Sequence, residues 1–205
     1  MLSLYPKYSL VRAYLAIIGR ESVMVQDIKE MEREISAQKG TVGDFTDWKD
    51  PSIWIPERLE GVSRRIAQVL FEKSDKLLNP RYTEPIRWFI EKKDLVFVNN
   101  DGSFSLTGQG KDFATNREGM TVREIDLVEG LVKILHILAE KGGMWKKDIY
   151  PYWKSFVNRL APEWETENSI KDLLSRRAVN LKERDYLISE KNVWGVTDAA
   201  LNYLR

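Results

Sequence analysis

Several residue clusters have the types and spacing for chemistry on a phosphate. Glu91-Lys92-Lys93 and Asp47-Trp48-Lys49 are acid-x-Lys triplets. A metal nuclease needs such a triplet on a buried strand with a further acid upstream, so that a metal and a general base converge on one phosphate. Glu91 instead falls in a helical pattern and Asp47 in a loop, and neither has an upstream partner. A serine nucleophile needs a base, but His136, the lone histidine, lies inside an apolar helical pattern with no cysteine or second histidine to join it. Gly108-Gln109-Gly110 stops short of the glycine spacing that cradles phosphates. The chain is therefore expected to lack an active site, a metal and a cofactor.

Non-covalent contact with a polyanion is better supported. From Lys141 to Arg159 there are five basic residues and one acidic, interleaved with Trp145, Tyr150, Tyr152, Trp153 and Phe156. That mixture grips phosphates and stacks bases, although the same rings can face inward while the lysines point out. Lys146 and Lys147 belong to this stretch. Arg64, Arg65, Arg81, Tyr82, Arg87 and Lys92 form an earlier group, and Lys171, Arg176, Arg177 and Lys182 a later one. These are the candidate DNA contacts, since arginine reaches guanine edges or phosphates and lysine reaches phosphates. Phe45, Trp48 and Trp54 crowd one polar stretch, Thr41 to Pro56. Either the rings plug the side of a small core, or they form a pocket that stacks a base taken out of the duplex.

Composition limits the options. With 32 basic against 31 acidic residues the whole chain is no indiscriminate polyanion binder. Its charge is nevertheless segregated: residues 21–60 carry ten acidic and five basic side chains, and residues 61–93 carry four acidic and eight basic. A basic face can exist without a basic protein. At 43% hydrophobic and 31% charged, the composition is that of a folded chain. The absence of cysteine excludes disulfides and thiol chemistry, and no apolar run approaches the ~18 residues of a membrane span. A cytoplasmic protein without membrane contact is expected.

The elements that position these side chains recur. Ile86 to Phe113 and Ala178 to Tyr203 align with Asp94 on Asp185 and Thr107 on Thr197, with a one-residue gap in the turn. Each copy reads as a helix, a strand, a polar turn, an aromatic-x-aliphatic-Thr strand and an exit helix. In the first, Ile86, Phe89 and Ile90 share one helical face, and Asn99 to Gly102 supplies hairpin-turn chemistry. Ahead of it, helical periodicity runs over Tyr8–Ile18, Val23–Gln38 and Pro56–Leu78, with Arg81–Lys93 as the first candidate reading helix. In the second half it runs over Asp126–Lys141, and the stripe Ile170, Leu173, Leu174 and Leu181 marks the second reading helix.

Helices followed by a two-stranded hairpin are the layout of a winged helix, whose third helix commonly enters the major groove. The expected fold is α+β and mostly helical: tandem winged helix-turn-helix domains, each with a C-terminal β-hairpin wing. The expected boundaries are 1–115 with an inserted aromatic loop at 41–56, a linker at 116–121, and 122–205.

Phe104-Ser105-Leu106-Thr107 with Gly108 and Gly110, and Trp194-Gly195-Val196-Thr197 before Asp198 and Ala199, resemble the winged-helix modules that precede the nuclease domain of Mrr-type restriction endonucleases. The second unit is the more similar, through Arg176 to Leu201. The resemblance implies recognition of double-stranded DNA, including modified DNA, with cutting by a separate nuclease domain or subunit. Because Arg205 falls where such a module ends, it also implies a piece of, or companion to, a longer protein. The alternative is a winged-helix protein-interaction or transcription-regulator module, docking a partner or forming a homodimer, without nuclease association.

Overall fold

The structure is a computed structural model that describes residues 5–38, 47–160 and 166–205. It is α+β and predominantly helical with small antiparallel sheets. The chain divides into two units, one spanning Ser9–Gly119 and the other Met120–Arg205 together with Tyr5–Tyr8. Among the described residues no helix is long and apolar enough to cross a membrane.

In the first unit, α1 (Tyr8–Ile18) leads through Met24, which makes a single antiparallel bridge to Ser103, into α2 (Val25–Gln38). Then come α3 (Pro51–Arg58), α4 (Gly61–Lys73), a 3₁₀ turn at Pro80–Tyr82 and α5 (Glu84–Lys92). The hairpin of β1 (Val96–Val98) and β2 (Phe104–Leu106) follows, with Phe97 opposite Ser105, and α6 (Gly108–Thr115) closes the unit. Tyr14, Leu15, Ile28, Met31, Ile35, Leu70, Phe89, Ile90 and Phe113 fill the core. These are the positions that recur at three- and four-residue intervals in the sequence, so the apolar stripes are the faces that meet.

The second unit comprises α7 (Met120–Val128), α8 (Leu131–Lys141), β3 (Met144–Trp145), α9 (Lys146–Leu160), α10 (Glu167–Glu183), β4 (Leu187–Glu190), β5 (Val193–Val196) and α11 (Asp198–Tyr203). Its sheet has the order β3-β5-β4, all antiparallel. Helix, a short extended link (β3 in this unit, the single bridge at Met24 in the first), helix, helix, hairpin and exit helix thus occur in both units. The first unit inserts α3 and α4 between the second and third helices of that series.

The repeat extends to individual hydrogen bonds. Asp94 and Asp185 both end a helix with positive φ, 51° and 57°. The next amide in each copy, Leu95 or Tyr186, donates back to Ile90 or Leu181 at 2.9 Å. The hydroxyls of Thr107 and Thr197 donate to the carbonyls of Asp94 and Asp185 at 2.7 and 2.6 Å. They also accept from Gly110 and Ala200, capping α6 and α11.

Three expectations about elements are corrected. The part of the 41–56 segment that is described is not all loop: α3 begins at Pro51, because Asp50 accepts from the Ser52 amide and proline is tolerated in the first turn. Pro56–Leu78 is not one helix, since Leu59 is extended and separates α3 from α4. Asp126–Lys141 is likewise broken at Gly130, whose φ of 83° favours glycine; a Cβ there would lie 2.4 Å from the Phe156 ring.

The boundaries also move. Within the proposed linker 116–121, α7 already begins at Met120 and Thr121 is buried. At the other end, Tyr5–Tyr8, expected in the first domain, pack in the second unit. The Tyr8 amide donates to Asn180 Oδ1 at 2.6 Å, Asn180 Nδ2 donates to the Pro6 carbonyl at 2.9 Å, and the Tyr8 hydroxyl donates to Asp126 at 2.8 Å. An N-terminal segment held by side-chain hydrogen bonds leaves no periodic signal in the sequence.

Candidate nucleic-acid interface

The second unit gathers its cations along α10. Thr166 caps this helix by accepting from the Ser169 amide, and the apolar stripe of Ile170, Leu173, Leu174 and Leu181 is buried. That orientation leaves Lys171, Ser175 and Lys182 together on one flank of the helix, at helical intervals of four and seven residues. Lys146, the first residue of α9, donates from Nζ to Ser175 Oγ at 2.9 Å, which brings the start of α9 against the middle of α10. The ammonium groups of Lys146 and Lys182 lie 5.9 and 5.7 Å from the ring centre of Trp194 on β5. Three lysines from two helices are thereby aligned beside the hairpin.

Next to them an open cleft of about 400 Å³ is walled by Trp145, Tyr150 and Leu174. Its rim carries Lys146, Lys147, Lys171 and Asn192. Lys147 sits 6.0 Å from the Trp145 ring centre and Lys171 5.4 Å from that of Tyr150. Lys171 also pairs with Glu167 at 2.6 Å. That hydrogen bond raises the Lys171 pKa and lowers that of Glu167, while desolvation, reinforced by Glu167, raises the Tyr150 hydroxyl. An exposed pair of this kind exchanges freely with a competing anion, because its net strength is small.

Of the other predicted contacts, Lys146, Lys147, Lys171 and Lys182 are exposed and meet in this one place. Arg176 is exposed but bound to Asp172 at 2.6 Å. Arg64 and Arg65 are exposed on α4, where Arg65 pairs with Asp27 at 3.0 Å. Tyr82 and Lys92 are exposed too. Arg81 is half-buried, its guanidinium 5.0 Å from the Trp48 ring centre and 5.7 Å from that of Tyr82.

Two arginines are excluded as DNA contacts. Arg177 has no exposed side-chain surface; it donates to the Glu129 carbonyl at 2.7 Å and to the Glu129 carboxylate at 2.5 Å, and lies over Tyr5 and Trp153. Arg87 is buried between Glu32, at 2.8 Å, and Glu91, at 3.0 Å. Burial opposes the charge on Arg87, but the hydrogen bonds and charges of Glu32 and Glu91 together outweigh it and the pKa rises; burial also raises the Glu32 carboxyl, against the pull of Arg87. A guanidinium answered by carboxylates inside a protein is a structural ion pair.

The aromatic pocket of the first unit is corrected as well. Trp54 is wholly buried and Trp48 nearly so, their ring centres 5.2 Å apart, with the Trp48 carbonyl accepting from Asn79. These rings are core, and Phe45 lies outside the described residues.

Sequence reasoning passed over Asn192 and Trp88. Glu190 pairs with Val193, so Lys191-Asn192 is a two-residue hairpin loop with φ of 45° and 69°, the left-handed conformation that asparagine tolerates. The polar turn in the repeat was its signal. Trp88 is 62% exposed on α5, off the face shared by Ile86, Phe89 and Ile90. Its signal was an indole on the wet side of an amphipathic helix.

No family model, curated protein or solved structure matches the chain.

Proposed function

We propose that the second unit is a winged helix that binds the backbone of double-stranded DNA, with α10 as the helix presented to the duplex and the β4–β5 hairpin as the wing. The observation that carries this reading is that Lys146 of α9 reaches Ser175 on α10, one turn after Lys171, while Lys146 and Lys182 both lie by the Trp194 ring. The element order supports it, since helix, strand, helix, helix and hairpin is the winged-helix series. Phosphate neutralisation by lysine releases counterions, so affinity falls with salt at a slope of about 0.9 per phosphate contact. The test is a salt titration of duplex binding by the full chain and by Lys146→Ala/Lys171→Ala/Lys182→Ala. The triple variant should bind more weakly with a slope shallower by about two to three. Unchanged affinity and slope would refute the assigned face.

The likeness to modules of Mrr-type restriction endonucleases extends the proposal. In that setting the chain acts as the target-recognition part of a restriction system, and a separate nuclease makes the cut. Binding that discriminates cytosine-modified from plain duplexes supports this extension, and equal binding to both removes its modified-DNA part.

A second reading has its own observation in the first unit. There Arg87 is neutralised inside the protein, while Trp88, Tyr82, Phe97 and Val98 are 62%, 56%, 50% and 54% exposed. Exposed apolar surface of this kind favours a protein partner over a polyanion for α5 and its hairpin. Trp88→Ala that leaves DNA affinity unchanged but abolishes self-association or partner co-purification supports it.

A further inference from the structure

We infer that the cleft bounded by Trp145, Tyr150 and Leu174 seats a single nucleotide displaced from the base stack, with its base against the rings and its phosphate on the rim lysines. The inference rests on the DNA-binding reading and adds a ligand to it. Contact with an intact duplex backbone needs only accessible cations. This site has more: a concavity of about 400 Å³ with an apolar interior, within the size range of small-molecule sites.

Trp145 is 48% exposed, yet its backbone is fixed by pairing with Val193 on β5. An indole on a strand-held backbone keeps its ring face accessible at little entropic cost, as a stacking platform requires. Lys147 lies over the Trp145 ring and Lys171 over the Tyr150 ring, so a nucleotide that enters between these walls brings its own phosphate within their reach. Asn192, at the hairpin loop, offers both a donor and an acceptor to a base edge. The rim lysines repel cationic guests, and the apolar walls give a bare inorganic anion nothing to fill. An aromatic group carrying a phosphate satisfies both halves of the site.

The test compares two duplexes that differ only in one unpaired 2-aminopurine, with free dAMP as a third ligand for the full chain. The bulged duplex should bind roughly tenfold more tightly than the paired one, with its fluorescence quenched by stacking. Trp145→Ala should abolish that preference and the quenching, and Trp145→Phe should restore part of both. Asn192→Gly keeps the turn conformation and removes the amide, so it should reduce the preference without touching Trp145. Equal binding of paired and bulged duplexes overturns the inference and leaves backbone binding standing, as does a preference that survives Trp145→Ala. Binding of neither duplex overturns both; if dAMP still saturates the protein, the cleft belongs to a free nucleotide instead.

Discussion

The Arg177 guanidinium grips Glu129 twice, Nε to the backbone carbonyl at 2.7 Å and Nη2 to the carboxylate at 2.5 Å, and neither side chain is exposed. Glu129 opens the two-residue turn between α7 and α8, so the pair ties α10 to the break at Gly130. Removing one partner leaves the other charge buried and unanswered. Arg177→Ala should therefore cost about 3–5 kcal/mol in urea unfolding, whereas joint replacement by Arg177→Met and Glu129→Gln should cost distinctly less. Where enough protein stays folded to assay, DNA affinity per folded molecule should be unchanged.

The buried tryptophans of the first unit should behave as packing residues. Trp54 is fully enclosed, and Trp54→Ala should lower unfolding stability by about 3–5 kcal/mol through lost burial and a residual cavity. Trp88→Ala, at an exposed site on α5, should stay within about 0.5 kcal/mol of the parent. Equal losses at the two positions would contradict the core assignment.

These contrasts mark what was legible in the sequence. Apolar periodicity located α1, α2 and α5, because their buried positions recur at the helical period, and the hairpins and exit helices followed from turn chemistry and residue types matched at fixed spacing. The repeat was legible for the same reason, and it reached the left-handed aspartates and the capping threonines. Periodicity does not say which arginines face inward. Arg177 follows Leu173 by one helical turn and so lies on the buried side of α10, but a guanidinium there is indistinguishable in sequence from one that turns outward; only Glu129, 48 residues away, decides it. The cleft was hidden similarly, since Trp145 and Asn192 meet only through a strand of two residues, too short to show a period.

The repeat also predicts an asymmetry between its copies. Gly110 and Ala200 occupy the same position after the capping threonine. At Gly110 an added Cβ would stand 1.9 Å from the Leu95 carbonyl oxygen, a backbone atom that cannot move without shifting β1. Gly110→Ala should therefore destabilise despite alanine's better helix propensity, by an amount above the roughly 1 kcal/mol that Ala200→Gly costs through propensity alone. Thermal unfolding of the two variants checks this, and a stabilised Gly110→Ala would show that the two copies pack alike.

High pH should unfold the chain through its tyrosines. Burial raises the hydroxyl pKa of Tyr5, Tyr8, Tyr14 and Tyr203 above the ordinary value of 10.0, with Asp126 or Glu32 adding to the effect. The folded chain then keeps protons that the unfolded chain releases near pH 10. The stability they contribute is fully present below that pH and lost above it, at about 1.4 kcal/mol per pH unit for each tyrosine. Phenolate absorbance should therefore rise in a step coincident with loss of helical circular dichroism. Tyr14 isolates one share of this effect, because its buried hydroxyl has no hydrogen-bond partner among the described residues. Tyr14→Phe should be neutral or stabilising at pH 7 and should reduce the alkaline slope by one tyrosine's worth, since it removes a buried polar group that nothing satisfies. A gradual, non-cooperative phenolate titration that begins while the helices are intact would place those hydroxyls in contact with water.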